Sequence, residues 1–358
     1  MKIALRVIDR IFLAALAVLV AVTGTLILLF NQQLETHRSP MVAYLGDPLN
    51  APEIWITTLD GERNRQLTQT SGRVVDFFVS PDGELIIYCV KNDSGGSDLY
   101  RIDRNGENNT NLVTCGEGRC EQVAWSADGK TIAYSHISST NSGNNSIQFT
   151  DAKDGTPQEI AGGTINGAFP VISPDGKWLA YYGSSDHSIH IRNLESGSEV
   201  QVASKVASTS VWSASSDILF FIDEVTGDLF PQTRLFQFHL GTSRVEPFLA
   251  DQTAGYDAAL PEWSSDGEWV AFGLKSIASQ AGRQIYIVRS DGTDMLAITS
   301  EESAAHSAYH WSPDGQQLVF QRYVIGDSTA APQIFLWDYA SGRITLLVEN
   351  GALPAWLP

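Results

Sequence analysis

Two short segments of the sequence place histidines close enough together to suggest metal chemistry. The first, Asp186-His187-Ser188-Ile189-His190, holds two histidines, the side chain that most often binds transition metals. His187 and His190 are three residues apart, so on a strand they would face opposite sides, and no cysteine or further ligand is evident nearby. The second, His306-Ser307-Ala308-Tyr309-His310, has a spacing that suits a helix but leads into a strand. We therefore predict no bound metal and no cofactor.

Sequence motifs of several common enzyme classes are absent. The chain contains no G-x-S-x-G nucleophile elbow, no phosphate-binding P-loop and no dinucleotide-binding G-x-G-x-x-G. The segment Asp291-Gly292-Thr293-Asp294 lacks the pattern of a calcium-binding loop. These absences favour a binding protein over an enzyme.

The three cysteines occur in two different contexts. Cys89 lies in the apolar run Ile86-Ile87-Tyr88-Cys89-Val90 and is predicted to be a buried free thiol. Cys115 and Cys120 bracket the segment Gly116-Glu117-Gly118-Arg119. Outside the cytoplasm these two cysteines could close a small disulfide loop, and a pair of unpaired loop thiols is the alternative.

These residues belong to a chain that repeats one short turn. Five copies of Ser-x-Asp-Gly occur, each followed by an apolar, strand-like run, and they begin at Ser80, Ser126, Ser173, Ser264 and Ser312. An imperfect copy, Ser213-Ala214-Ser215-Ser216-Asp217, begins at Ser213. With it included, the steps from serine to serine are 46, 47, 40, 51 and 48 residues. Proline, aspartate and glycine in this order are typical of a tight turn between two strands. A repeat of this length predicts a propeller or a solenoid.

Each repeat contains four strand-like runs, which is the number of strands in a propeller blade. Six full repeats are visible, and fragments at residues 41–68 and 353–356 together supply the strands of one more. We therefore predict an all-β, seven-bladed β-propeller of four-stranded antiparallel blades over residues 40–358. Pairing of N-terminal and C-terminal strands within one blade would close the ring. A six-bladed propeller with leftover ends is the alternative.

The first 39 residues predict a membrane anchor and a linker. Residues 11–30 form an uncharged run of 20 residues, which as a helix spans about 30 Å, the thickness of the bilayer core. No small-x-small cleavage site follows, which favours an uncleaved signal anchor over a removed signal peptide. The basic residues before this segment place residues 1–10 in the cytoplasm. Residues 31–39 are then a linker, and the propeller is extracytoplasmic, in the periplasm or at the cell surface.

The formal net charge of the chain is −18. A surface of this charge repels nucleic acid phosphates, and no basic stripe interrupts it, so we predict no nucleic acid partner. The acidity favours solubility as its main consequence, and a cationic partner is the alternative.

Candidate binding residues follow from the predicted architecture. In a propeller, the loops that enter the innermost strands line one mouth of the central channel, and loops of this kind often carry function. The polar or large side chains two to seven residues before each turn serine are therefore the candidates. They are Arg73, Asp76, Glu121, Gln122, Asn166, Thr209, Tyr256, Asp257, Glu262, His306, Tyr309 and His310.

The repeat W-S-P-D-G-x-x-(I/L)-(A/V)-(Y/F), followed by (I/L)-(Y/F)-(I/V)-x-x-x-x-G, resembles the repeats of the TolB-like propeller family. Similar repeats occur in the propeller domains of prolyl-oligopeptidase-type proteases. The resemblance covers residues 40–358 and implies a propeller that binds a protein or peptide of a bacterial-type cell envelope. TolB itself has six blades and a preceding α/β domain, which this chain lacks, so the resemblance does not imply a place in the Tol system. An enzyme with a metal or small-molecule site at the channel mouth, and a purely structural envelope component, are the alternatives.

Overall fold

The computed structural model describes residues 39–139, 145–183, 185–226 and 231–358. The predicted membrane anchor at residues 11–30, with its flanking residues, lies outside the described residues. In the described ranges every regular element is a strand, and no helix there is long and apolar enough to cross a membrane. The all-β class predicted from the sequence is confirmed for this part of the chain, and Met41–Pro358 form one compact unit.

The described residues contain 29 strands. In chain order they are β1 (Met41–Gly46), β2 (Glu53–Thr58), β3 (Asn64–Gln66), β4 (Val74–Val79), β5 (Leu85–Lys91), β6 (Ser97–Asp103), β7 (Thr110–Val113), β8 (Arg119–Trp125), β9 (Thr131–Ile137), β10 (Asn145–Asp151), β11 (Pro157–Gln158), β12 (Ile165–Asn166), β13 (Ala168–Ile172), β14 (Trp178–Gly183), β15 (Ser188–Asn193), β16 (Glu199–Ala203), β17 (Val211–Trp212), β18 (Ile218–Val225), β19 (Gln232–His239), β20 (Arg244–Pro247), β21 (Tyr256–Trp263), β22 (Trp269–Ser276), β23 (Gln284–Arg289), β24 (Leu296–Ala297), β25 (Ala304–Trp311), β26 (Gln317–Val324), β27 (Gln333–Asp338), β28 (Ile344–Val348) and β29 (Gly351–Leu357).

Antiparallel runs of consecutive strands form the sheets. Four sheets of four strands follow the chain directly, as β13–β16, β17–β20, β21–β24 and β25–β28. A nine-stranded sheet consists of two such runs, β4–β7 and β8–β12, joined by one parallel residue pair, Ser97 with Arg119. The remaining sheet has the order β29-β1-β2-β3, so the strand at the C-terminal end pairs with β1.

The first strand of each four-stranded run contacts the first strand of the next run. We call β4, β8, β13, β17, β21, β25 and β29 the inner strands. Contacts run from each inner strand to the following one in this order, and β29 in turn contacts β4. Several second strands are buried on both sheet faces over most of their length, as in Ile86–Val90 of β5 and Leu179–Gly183 of β14. Apolar clusters between neighbouring sheets therefore form the core.

The repeated Ser-x-Asp-Gly turn joins the first and second strands of a sheet by side-chain hydrogen bonds. In the first copy, the Ser80 hydroxyl donates to Asp82 Oδ1 over 2.6 Å and accepts from the Leu85 amide over 2.9 Å. Gly83 has a φ of +69°, a conformation that side chains resist. The imperfect copy at Ser213 keeps this geometry, with Ser216 in the glycine position at a φ of +62°. The aspartates are thus turn residues, as their sequence context predicts.

The tryptophans that precede the turns pack between neighbouring sheets. The indole N–H groups of Trp125, Trp212 and Trp356 each donate to a carbonyl of the preceding inner strand, at Phe78, Val171 and His310, over 3.2, 3.2 and 2.8 Å respectively. These bonds tie neighbouring inner strands together. The tryptophans therefore have a structural role.

A glycine-to-alanine pair tests the conformational requirement of the turn. Gly176 has a φ of +71° and Gly241 does not have a left-handed φ, while a Cβ atom at either position would meet nothing within 4 Å. We expect Gly176→Ala to lower the free energy of unfolding by about 1 kcal/mol, because an L-residue is strained in this conformation. Urea denaturation measures the change. Gly241→Ala is the control and should have no such cost, and equal effects of the two substitutions would contradict the explanation.

Candidate functional site

A β-bulge interrupts most of the inner strands. The pairing register shifts within β4, β8, β13, β21 and β25, and between β1 and β29. Gln122, Phe169 and Ala308, each four residues before a turn serine, have φ values of 57°, 57° and 45°. A bulge adds one residue and redirects the side chains beside it. The inner strands therefore present side chains that a regular strand would place elsewhere.

Four of the predicted residues interact electrostatically across four inner strands. We call Asp76 on β4, Glu121 on β8, Glu262 on β21 and His310 on β25 the Asp76 cluster. Burial raises the pKa of the Asp76 carboxyl to about 6, and the negative charge of Glu121 adds to this effect. The hydrogen bond from the Phe77 amide and the charge of His310 lower the pKa but do not outweigh burial. The Phe77 amide donates to Asp76 Oδ1 over 2.8 Å. Asp76 therefore changes charge near neutral pH.

The Glu262 carboxylate holds the imidazole of His310. Glu262 Oε2 lies 3.0 Å from His310 Nδ1, and Glu262 Oε1 accepts a hydrogen bond from the Trp311 amide over 3.1 Å. Burial opposes charge on His310, but Glu262 and then Asp76 outweigh it and raise the pKa of the imidazole. His310 keeps 47% of its side chain exposed, so the pair faces water. Two carboxyl groups thus act on the imidazole, and the third, Glu121, acts on Asp76.

Two other predicted residues have structural roles on the inner strands, and a third is buried there. The side-chain oxygen of Gln122, Oε1, accepts hydrogen bonds from the Ser135 hydroxyl over 2.7 Å and from the Phe169 amide over 3.0 Å. These bonds tie three strands together. Tyr309 is buried, and its hydroxyl donates to the Ala259 carbonyl over 2.9 Å. His306 is also buried. The bulge explains why Tyr309 lies in the core while its neighbour in sequence, His310, faces water.

The remaining predicted residues lie apart from the Asp76 cluster. Arg73 is exposed and pairs with Asp93 over 2.9 Å, while Asp257 accepts a hydrogen bond from the Thr233 amide over 3.1 Å. Tyr256 begins β21, and Thr209 precedes β17. Asn166 lies on β12, which pairs with β10, the third strand of its run, so it is not part of an inner strand.

A set of polar residues at the start of third strands was missed by the sequence analysis. The Glu53 carboxylate accepts from the Thr68 hydroxyl and the Thr70 amide, both over 2.6 Å. The Gln284 side chain likewise bonds to the Glu301 amide and the Ala304 carbonyl. Both residues fix the segment that crosses to the next inner strand. The signal for them was a polar residue directly before each apolar third strand, as in Glu-Ile-Trp-Ile and Gln-Ile-Tyr-Ile.

The cysteines take two states in the structure. Cys115 and Cys120 form a disulfide with a Cα–Cα distance of 6.0 Å, in the segment that crosses from β7 to β8. Cys89 is a buried free thiol, and burial, with Asp76 and Glu121, raises its pKa. The disulfide therefore braces the approach to the inner strand that carries Glu121.

His190 on β15 and His187, directly before this strand, form hydrogen bonds within the protein. His190 Nδ1 lies 2.8 Å from Glu199 Oε1, and its Nε2 lies 2.9 Å from Asp186 Oδ2. The Tyr182 hydroxyl lies 3.1 Å from His187 Nδ1. In the described ranges, no three histidine, cysteine, aspartate or glutamate side chains are placed to hold a metal ion.

The family model of the TolB β-propeller domain matches residues 37–232, which is more than half of the chain. The chain belongs to the TolB β-propeller domain family. The predicted resemblance to TolB-like propellers is thereby confirmed. No curated protein matches the chain in sequence.

Solved structures share the fold of this TolB-type propeller at low sequence identity. A prolyl endopeptidase matches 87% of the chain with a TM-score of 0.63 and 13% identity, and the match covers 50% of that enzyme, so this chain spans about half its length. The propeller domain of the trilobed protease from Pyrococcus furiosus matches with a TM-score of 0.62 and 14% identity over 83% of this chain and 87% of that chain. TolB from Acinetobacter baumannii has a TM-score of 0.52 and 17% identity over 89% and 83% of the two chains.

The raised pKa of Asp76 predicts a pH-dependent stability. Its folded-state value of about 6 lies above the ordinary value of 3.8, so the folded protein binds this proton more tightly than the unfolded chain. The contribution of Asp76 to stability therefore falls as pH rises from about 4 to about 6. We expect Asp76→Asn, which keeps an acceptor for the Phe77 amide, to raise the free energy of unfolding at pH 8 and to change it little at pH 4.

Urea denaturation at the two pH values measures this difference. Glu302→Gln removes an exposed carboxyl outside the Asp76 cluster and is the control for the change in net charge. An effect of Asp76→Asn that is the same at both pH values would contradict the assignment.

Proposed function

We propose that this chain is a membrane-tethered, extracytoplasmic β-propeller that binds a protein or peptide of the cell envelope. Membership of the TolB β-propeller domain family supports a role in protein interaction. The apolar run at residues 11–30 and the basic residues before it support a single-pass anchor with a cytoplasmic N-terminus. The disulfide between Cys115 and Cys120 fits an oxidising compartment.

We infer that the propeller has seven blades and a closed ring. Seven inner strands contact one another in order, and β29 contacts β4, which is the arrangement a closed ring requires. Each inner strand begins a run of about four strands, and β29 completes the sheet that β1–β3 begin. A ring closed in this way has a central channel lined by the inner strands. The Asp76 cluster then lies at that channel.

The Asp76 cluster supports a cationic group as the part of the partner that enters the channel. The cluster holds three carboxyl groups and one imidazole, so in its ionised form it stays negative even when His310 is protonated. The net charge of −18 adds a long-range attraction for positive partners. A lysine, an arginine or a free amino terminus of a polypeptide has the charge and reach to bind there. Because Asp76 loses its proton near pH 6, this attraction strengthens as pH rises through about 6.

Capture of partners by the full-length chain in detergent tests this function. We expect one stoichiometric envelope protein to be retained, since a preformed acidic site favours a specific partner over general adhesion. The double variant Asp76→Asn and Glu262→Gln should retain at least about tenfold less of that protein, because two negative charges are lost while the acceptor oxygens are kept. Mass spectrometry identifies the partner and measures the amounts retained.

The matched control replaces carboxyl groups outside the cluster. Glu302→Gln with Glu107→Gln makes the same change in net charge at exposed positions and should retain the partner fully. Equal retention by the cluster variant and the control would count against the channel as the binding site. Retention of no protein by the unaltered chain would count against the binding function itself.

A further inference from the structure

A cleft opens between the sheet β21–β24 and the sheet β25–β28. Its volume is about 290 Å³, roughly twice that of a cavity that holds benzene. Four apolar side chains form its walls, Ile298, Phe320, Phe335 and Ile344, and the rings of Phe320 and Phe335 stack with centroids 5.9 Å apart. Ile344 is 41% exposed, so the apolar surface continues to the outside. The cleft is therefore the open end of the core between these two sheets.

A fixed ion pair forms the polar rim of the cleft. Arg322 Nε donates to Glu301 Oε2 over 2.8 Å, its Nη2 also contacts this carboxylate, and its Nη1 donates to Gln333 Oε1 over 2.8 Å. The bond to Arg322 lowers the pKa of Glu301 to about 2, so the carboxylate stays ionised at neutral pH. A guanidinium has five N–H donors, and these contacts leave two of them for a ligand. The pair is thus rigid and can still accept a partner.

A buried histidine in the cleft wall is incompletely paired. His306 is 3% exposed and packs edge-on against Phe320. Its Nδ1 has no hydrogen-bond partner among the described residues. Buried polar atoms are usually paired, and exceptions often mark functional positions. This observation supports a ligand-binding role for the cleft over simple packing.

The shape and chemistry of the cleft select one kind of ligand. Its apolar walls fit one aromatic or large aliphatic side chain, and its volume is too small for a bulkier group. At the rim, the Arg322 guanidinium matches a backbone carbonyl, and the Glu301 carboxylate matches a backbone N–H. A free carboxylate would be repelled by Glu301. The geometry points to an extended peptide that inserts a large apolar side chain into the cleft.

We propose that the cleft is a second anchoring subsite for the polypeptide that binds the Asp76 cluster. This inference rests on the proposed function. Both sites involve the same inner strand, since His306 lines the cleft and His310 belongs to the cluster. Ile344 forms the exposed entrance of the cleft on β28, and the strand register places it three strands across from Trp311, the neighbour of His310, which is about 14 Å. The bound peptide therefore carries its basic residue and its large apolar residue about three to five positions apart.

A peptide library tests the spacing directly. The probe is a library of N-acetylated octapeptide amides with one fixed lysine and all other positions randomised, selected on the full-length chain in detergent. We expect peptides with an aromatic or large aliphatic residue three to five positions from the lysine to be enriched. Replacing that residue by alanine in a selected peptide should weaken binding about tenfold or more.

Variants at exposed cleft positions separate this subsite from the channel. Ile344→Asp places a charge on the apolar wall, and Ser300→Trp fills the cleft from its exposed rim. Both should abolish the preference for the apolar residue and keep the preference for lysine. Leu346→Asp is the matched control, since Leu346 lies two residues along the same strand at 38% exposure and does not line the cleft.

The outcomes distinguish this inference from the proposed function. If the selected peptides prefer lysine but share no apolar residue at a constant distance from it, the cleft subsite is overturned and the channel site remains intact. Loss of the apolar preference in Leu346→Asp as well as in Ile344→Asp also overturns the subsite. If lysine is no better than glutamine in the fixed position, the channel site fails, and the subsite fails with it.

Discussion

Burial of both faces of every sheet is the constraint on which the structure depends. A strand that is packed on both sides must be apolar along its length, and β22 is buried without interruption from Trp269 to Leu274. The outermost strands escape this requirement, as the three exposed residues of β3 show. The inner strands have a free edge, and there the sequence can place polar groups without breaking the core. The position of Asp76, Glu262 and His310 follows from this division.

The bulges connect this architecture to the chemistry of the Asp76 cluster. In an unbroken strand, alternate residues would simply face the two neighbouring sheets. The extra residue in β25 lets Tyr309 pack in the core while His310 reaches Glu262. A carboxyl group held in this position is poorly hydrated, which is the main reason that the pKa of Asp76 rises. The electrostatics of the cluster are therefore a consequence of backbone geometry.

The features of the fold that depend on short-range patterns, the turns and the second strands, could be predicted from the sequence. The turn at Ser80 recurs because local hydrogen bonds define it, and the apolar runs behind each copy reveal the second strands. The individual roles of the candidate residues could not be predicted, because bulges have no reliable sequence signal. Nothing local distinguishes the core residue Tyr309 from the exposed His310. The cleft between two sheets combines Ile298 with Ile344, residues that come together only through tertiary packing.

The pairing of β29 with β1 has a consequence for how the domain folds. Met41 lies opposite Leu357, so β1 cannot be paired on this edge until β29 has been synthesised. Pairing across roughly 300 residues is among the slowest steps of folding, since a very long loop must close. Until β29 pairs, the backbone edge of β1 that faces it has no hydrogen-bonding partner. A chain shortened before Gly351 would therefore keep an open edge on β1, and such an edge can pair with strands of other chains.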